Sequence, residues 1–366
     1  MKGVDLAPFR VTGPAVVANS GGKTSGYNLW LHLEANGGTL TDAGRCVFTN
    51  TGWEHPATLD FLAEQERRWG VGVAWLEFEW RRATADELAA LKDKADRAAE
   101  RLEGFALAPA SYFARRAAGG GSLFEAEDDQ SRKEAAVRRA GAHRLATYFS
   151  WRKAELVGLP SYRRVTRAAA STDGRPYEEF LEGLYRFRTL VKGEPGLLPN
   201  GVQRLCTGHL KMRPSARFAR DTWGVGVGGY ECRLGLRADE QERIAAAYRT
   251  KSREAGRPVF PLDDAGVEKA DVAAFWAGQP FGLSLRAFEG NCGGCYMKRR
   301  EALVNLIRRD FFDAGWWEGW EARTGQRFRA ERSYRGLRLA ARTELSLLPI
   351  DDLDNAITCE SGYCSN

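Results

Sequence analysis

Strand-like and helix-like patterns alternate through the first eighty residues, and that rhythm restricts the architecture more than any other property of the chain. Three short runs rich in β-branched or aromatic residues, "AVVAN" (15–19), "RCVFTN" (45–50) and "GVAWLEFEW" (72–80), are separated by "TSGYNLWLHLEAN" and "HPATLDFLAEQERRWG". The second separator carries Leu59, Leu62, Glu66 and Trp69 at helical spacing. Strand, helix, strand, helix, strand calls for a parallel sheet with right-handed crossovers, and nearly all-apolar strands call for helices on both faces. The expected class is α/β, with a Rossmann-like sheet.

From about 81 to 200 the sequence turns into long Ala/Arg/Glu-rich helical pattern, interrupted at "AAGGGS" (117–122) and "GEPGLLPNG" (193–201). No strand rhythm is visible there, so it reads as a helical insertion. Strand signals return in "GGYECRLGLR" (228–237) and "RPVFPL" (257–262). The sheet domain is therefore expected to be discontinuous, residues 1–80 and 201–300, with a helical basic insertion at 81–200. A helical C-terminal region at 301–366 ends in a cysteine-containing tail, and its aromatic run "FFDAGWWEGWEA" reads as core rather than as a stacking surface.

At 366 residues and a net charge of +6, the chain can bury a large core and is mildly basic. That balance suits an anionic ligand and falls short of a nucleic-acid coat. No apolar run approaches the ~18 residues of a membrane span. The N-terminal "MKGVDLAPFRVTG" lacks the apolar stretch of a signal peptide, so a cytoplasmic protein with no membrane partner is expected. Basic residues gather at 132–167: Arg132, Lys133, Arg138, Arg139, Arg144, Arg152, Lys153, Arg163, Arg164 and Arg167. A solvated helix face and a groove for nucleic acid both account for them.

"AVVANSGGKTSG" places a tight glycine turn between the first strand and the first helix. It is no Walker loop, because Val17 stands where that motif requires glycine. Its backbone N–H groups and the positive end of the helix dipole can nevertheless face an anion, which Gly21 and Gly22 let come close. Ser20, Thr24 and Ser25 add hydroxyls and Lys23 a charge. In parallel sheets, ligands sit at this carboxyl edge.

"SGGKTS" resembles the S-G-G-K-D-S pyrophosphate loop of the adenine-nucleotide α-hydrolase superfamily, in particular its phosphoadenylyl-sulfate (PAPS) reductase-like branch. "VFTNTGWEHPATLDFL" (47–62), "RLCTGHLKMRP" (204–214), "LGLRADEQER" (234–243), "RPVFPLDDAGVEKADVAAFW" and "NCGGCYMKRREAL" are similar to further segments of that family, in the same order. The resemblance implies a HUP-type Rossmann-like sheet and an adenine nucleotide ligand: ATP, adenylyl sulfate or PAPS. It implies that Ser20, Gly21, Gly22, Lys23, Thr24 and Ser25 hold phosphates, that Asn50, Thr51 and Gly52 lie against ribose or adenine, and that Arg237 reaches the anionic end of the substrate. Asp239 and Glu240 would position Arg237 or a Mg²⁺, or simply begin a solvated helix. Thr24 departs from the family's aspartate, which puts ATP-cleaving chemistry through that carboxylate in doubt.

Cys292 and Cys295 form "CGGC", a spacing by which two thiolates hold one metal or cluster corner. The family brings Cys206 to the same sheet edge, implying a [4Fe–4S] cluster on Cys206, Cys292 and Cys295, with Cys232, Cys359 or Cys364 as candidate fourth ligand. Zinc held by those three cysteines and His209 is the alternative, and a cycling dithiol a third. Cys46 reads as core packing. Cys364, in the terminal "CESGYC", is a candidate nucleophile toward sulfur bound at the loop, beside Lys23 and Arg237 as catalytic candidates. The leading expectation is a PAPS reductase-like enzyme of sulfur reduction or transfer, in a phage, mobile-element or defence context, with a sulfur donor or reductant protein as partner. The rival is a nucleotide-sensing or nucleic-acid-binding module with structural zinc.

Overall fold

The alternation of side chains along the strands sorts the core into two layers. In the computed structural model, which describes residues 3–108, 129–226, 228–249 and 256–344, the first strands are β1 (Ala15–Ala18), β2 (Gly44–Asn50) and β3 (Val73–Arg81). Val17, Cys46, Phe48, Val73 and Trp75 pack on one face against Leu29 and Leu33 of α1 (Lys23–Ala35) and Leu59 and Leu62 of α2 (Pro56–Trp69). Their neighbours Val16, Val47, Ala74 and Leu76 pack on the other face with Phe218 and Ala219. Each large apolar side chain so buried contributes about 1.5–3 kcal/mol. Apolar strands covered on both sides are thus what the sequence called for.

The sheet has six strands in the order β4-β3-β2-β1-β5-β6, completed by β4 (Leu159–Val165), β5 (Glu231–Arg233) and β6 (Arg257–Val259). The pairs β1–β2, β2–β3, β1–β5 and β5–β6 are parallel, with Val17 opposite Cys46 and Arg233. The chain runs outward from β1 to β3 on one side and later returns to place β5 on β1's other side. β1 is therefore the topological switch point, where a crevice opens at the carboxyl edge.

The described residues fall into two units. One comprises those within Met1–Glu79, Pro160–Tyr185 and Pro195–Asn366; the other those within Trp80–Leu159 and Arg186–Glu194. In the second, α3 (Ala85–Leu107) and α4 (Asp129–Leu156) pack together, buried Ala95, Ala98, Ala136 and Ala140 allowing close approach. α3 is capped by Thr84, whose hydroxyl accepts from the Glu87 N–H while Glu87 accepts from the Thr84 N–H.

The helical reading of 81–200 needs one correction. Leu159–Val165 is a strand, and from Pro160 on, with the loop after it and α5 (Arg175–Arg186) as far as Tyr185, it belongs to the unit that holds most of the sheet. "LPSYRRV" carries no apolar run because an edge strand buries only part of its surface.

Beyond α6 (Arg213–Trp223), α7 (Gln241–Arg249) and α8 (Lys269–Ala277), the C-terminal part holds α9 (Arg300–Arg308), α10 (Ala314–Thr324) and α11 (Tyr334–Thr343). Within the aromatic run Trp317 and Trp320 are buried, with Phe328 and Tyr334 beyond it, while Phe311, Phe312 and Trp316 are half-buried, so the run is core in part. Among the described residues no helix is long and apolar enough to cross a membrane.

Candidate functional site

β1 ends in a turn built around Gly21, whose φ of +76° is left-handed and whose would-be Cβ would lie 2.5 Å from the Thr58 methyl on α2. The turn is braced from within. Asn19 Oδ1 accepts from the Gly21 N–H, and Ser25 Oγ accepts from the Ser20 and Gly22 N–H groups at 3.1 and 3.2 Å. Those amides are engaged by the loop's own side chains. α1 begins here, and the first N–H groups of a helix, at Lys23, Thr24 and Ser25, have no intrahelical acceptor. Lys23 is exposed, and its ammonium makes no ion pair among the described residues; its carbonyl accepts from Trp276 Nε1.

The segment after β5 brings Arg237 to this turn. Gly235 runs so close to α1 that a Cβ there would lie 3.3 Å from Ser25 Cα. Arg237 Nη1 then donates to Thr24 Oγ1 at 3.1 Å. Asp239 accepts from Arg237 Nε at 2.8 Å, and Glu240 lies 3.5 Å from Nη1, so both carboxylates position the guanidinium. Glu240 also pairs with Arg243. Among the described residues, the buried Thr58 hydroxyl and Asn28 amide have no hydrogen-bond partner; Thr58 meets Gly21 through its methyl and Asn28 meets Gly235 through its Cβ.

The turn after β2 is closed rather than open. Asn50 donates to Glu77 and to the Ser171 carbonyl at 2.8 and 2.9 Å, and its own oxygen accepts from the Gly52 N–H. Thr51 is bonded to the buried Glu54 carboxylate through both N–H and hydroxyl. Gly52 lies against Gly174 and Pro176. The polar groups of Asn50 and Thr51 are thus already engaged by partners within the protein. Next to them a cavity of about 380 Å³ is lined by residues including Trp53, His55, Asp173 and Phe311.

Cys206 precedes a π-helical turn, Thr207–Met212, and its Sγ lies 3.2 Å from Tyr296 Oη. Cys292 and Cys295 bound a tight turn: the Gly293 N–H donates to the Trp53 carbonyl, the Cys295 N–H to the Cys292 carbonyl, and Gly294 has no room for a Cβ because Trp317 and Phe312 lie on it. Burial, then the neighbouring Cys295 and Glu54, push the Cys292 thiol well up; burial, then Cys206, raise Cys295. Lys298 is buried beside them, its ammonium held by the Phe288 and Gly290 carbonyls at 2.7 and 2.6 Å.

Among the described residues, no three His, Cys, Asp or Glu side chains already stand in metal-ligand arrangement. The three cysteines are coupled electrostatically to one another, with buried Lys298 coupled to Cys292 and Cys295, and thiols are the donor type a soft metal takes. His209 is stacked on Phe180 at 4.8 Å with the Arg213 guanidinium against its ring. Cys232 packs on the sheet with Val16 and Val47, its thiol pushed up to about 11 by burial, and Cys46 is core. Cys359 and Cys364 lie outside the described residues.

Comparison with known proteins adds one relative. The chain is 24% identical over 295 residues, covering 81% of itself and 69% of the relative, to the uncharacterized nin region protein ORF290 of Escherichia phage lambda. No family model matches, and no solved structure does.

Sequence reasoning missed Glu77. This carboxylate is fully buried in the middle of β3, opposite Asn50 at the end of β2, bonded by the Ser171 N–H at 2.6 Å, by Asn50, and by Arg163 and Arg175 at 3.0 and 3.1 Å. Burial alone would raise its pKa, but the Ser171, Arg163 and Asn50 bonds outweigh it and hold the carboxyl below its usual range. Arg163 and Arg167 are thereby removed from the basic face, Arg167 pairing with Asp60 at 2.7 Å. On α4, Arg138 remains exposed. Glu77 stands with Glu79 among apolar residues of β3, and nothing in that pattern marks its partner as Arg163 eighty-six positions on.

Proposed function

We propose that this chain is a PAPS reductase-like protein of the adenine-nucleotide α-hydrolase superfamily, with a HUP-type sheet, acting on sulfur in a nucleotide-linked substrate. The observation that carries the reading is the meeting of Arg237 with Thr24 at the switch point of the sheet. An adenylyl sulfate, PAPS or ATP phosphate chain would be held by the first N–H groups of α1, by Lys23 and by Arg237, which together supply two full charges and a helix dipole. Asp239 and Glu240 keep the guanidinium aimed and lower the entropy lost on binding. Thr24 supports anion binding over adenylation, since no loop carboxylate is there to hold Mg²⁺.

Cys206, Cys292 and Cys295 would hold the cluster, a [4Fe–4S] centre that supplies electrons or an open iron for sulfur. Zinc on these cysteines is the rival. The engagement of His209 with Phe180 and Arg213 favours a centre without that histidine. The phage origin of the relative fits a specialised enzyme of a mobile element more than an assimilatory one. A reductant or sulfur-acceptor protein is the implied partner, and exposed Arg138 leaves α4 as the candidate nucleic-acid face.

Anaerobically prepared full-length protein is expected to be brown, absorbing broadly at about 400 nm, and to lose that colour in Cys292→Ser or Cys295→Ser. With a reductant and adenylyl sulfate or PAPS it is expected to release AMP, or its 3′-phosphorylated form, with sulfite. Cluster-free protein with stoichiometric zinc, or nucleotide binding with no product, would instead support the sensor.

A further inference from the structure

Two buried donors that the proposed chemistry leaves idle meet at the cysteine turn. Tyr177, on α5, is 2% exposed and Trp317, on α10, 0%. Their rings are in edge contact, centroids 5.4 Å apart. Neither Tyr177 Oη nor Trp317 Nε1 has a hydrogen-bond partner among the described residues. Each such orphan costs about 1–3 kcal/mol, so two of them in one aromatic cluster call for a reason.

Their position supplies it. A Cβ on Gly294 would overlap Trp317 Nε1, so the indole N–H lies directly on the turn between Cys292 and Cys295. Burial first, then the neighbouring Cys206, Tyr296, Cys292 and Cys295, push the Tyr177 hydroxyl well above its ordinary value, so Tyr177 is coupled to the trio. The neighbouring phenols are engaged: Tyr296 with Cys206 Sγ, and Tyr334 with the Gly294 carbonyl at 2.5 Å. Trp317 Nε1, with the Tyr177 ring packed against it, therefore borders the turn between Cys292 and Cys295.

We propose that Tyr177 Oη–H and Trp317 Nε1–H donate to the sulfur atoms of the centre held by Cys206, Cys292 and Cys295, and thereby set its reduction potential. The inference rests on the cluster reading above. A donor aimed at thiolate or sulfide sulfur stabilises the more negative, reduced state over the oxidised one.

The test uses full-length protein, metal-free and anaerobically reconstituted, as wild type, Tyr177→Phe and Trp317→Phe. Tyr177→Phe keeps the ring and deletes an unpaired hydroxyl, so the metal-free chain should melt no lower than wild type. In the loaded protein the same substitution should lower the ratio of reduced to oxidised cluster at a fixed potential roughly fivefold, the worth of one net hydrogen bond of about 1 kcal/mol. Trp317→Phe should shift that ratio in the same direction, a readout independent of the packing it disturbs. A brown wild type whose two variants keep the wild-type ratio overturns this inference alone. A wild type that binds zinc or no metal overturns the cluster reading and this inference with it.

Discussion

Arg237 donates from Nη1 to the Thr24 hydroxyl across 3.1 Å, joining segments 213 positions apart at the carboxyl edge of the sheet. The bond ties the segment after β5 to the first turn of α1, and it puts a fixed guanidinium where a phosphate chain would meet the helix N-terminus. Arg237→Ala is expected to weaken adenylyl sulfate binding about ten- to a hundredfold, the worth of a charged hydrogen bond. Arg237→Lys should recover only part of it, because a point charge cannot contact Thr24, Asp239 and a ligand in one plane. Calorimetric titration of the three proteins checks this; equal affinities would remove Arg237 from the site.

Gly21→Ala tests the turn. A methyl there meets Thr58 and forces a left-handed residue to carry a side chain, so the variant is expected to lose about 1–3 kcal/mol of stability and most nucleotide affinity. Gly22→Ala, at φ −95°, should be tolerated in folding. Urea melts of both variants decide, and equal stability would mean that the strained turn is unimportant.

These two segments also show what could be read from the sequence. β1, its glycine turn and α1 were legible because an apolar run, paired glycines and a helical pattern follow one another within twenty residues. Arg237 was legible only through the family resemblance, since no local pattern links it to the loop. β4 was hidden because an edge strand needs no apolar run, and "SYRRV" looks like solvated helix. The Asn50–Glu77–Ser171 network was hidden for another reason: hydrogen bonds between distant segments leave no periodicity.

Glu77→Gln should be among the most damaging single changes. It removes the carboxylate shared by Arg163 and Arg175, while Arg163 keeps Glu179, at an expected cost of about 1–3 kcal/mol. By contrast, Arg138→Gln on exposed α4 should alter stability by no more than ~0.5 kcal/mol. Thermal or urea denaturation separates the two. If Arg138→Gln lowers DNA affinity and reduces its salt dependence, α4 is a nucleic-acid face; unchanged binding leaves it a solvated one.

Two groups give the stability a pH dependence of one sign. His32 is fully buried, its ring bonded to the Asn28 carbonyl, and burial lowers its pKa from 6.5 to about 3. Between those values the unfolded chain binds a proton that the folded chain refuses, so stability falls as pH falls, by up to ~1.4 kcal/mol per unit. Glu77, held below its usual range, adds a further loss at lower pH, because the unfolded carboxyl protonates first. Urea midpoints should therefore drop steadily from pH 6.5 toward 4, and His32→Gln should flatten the upper part of that slope. A slope unchanged by His32→Gln would contradict a neutral buried His32.

The most direct measurement is a calorimetric titration of the full chain with adenylyl sulfate, PAPS, ATP and plain adenosine, repeated on Lys23→Ala with Arg237→Ala. Saturable binding of at least one nucleotide, none of adenosine, and a loss of tenfold or more in the double variant is the expected result. No binding of any nucleotide, or binding indifferent to both substitutions, would contradict a phosphate site at the end of β1.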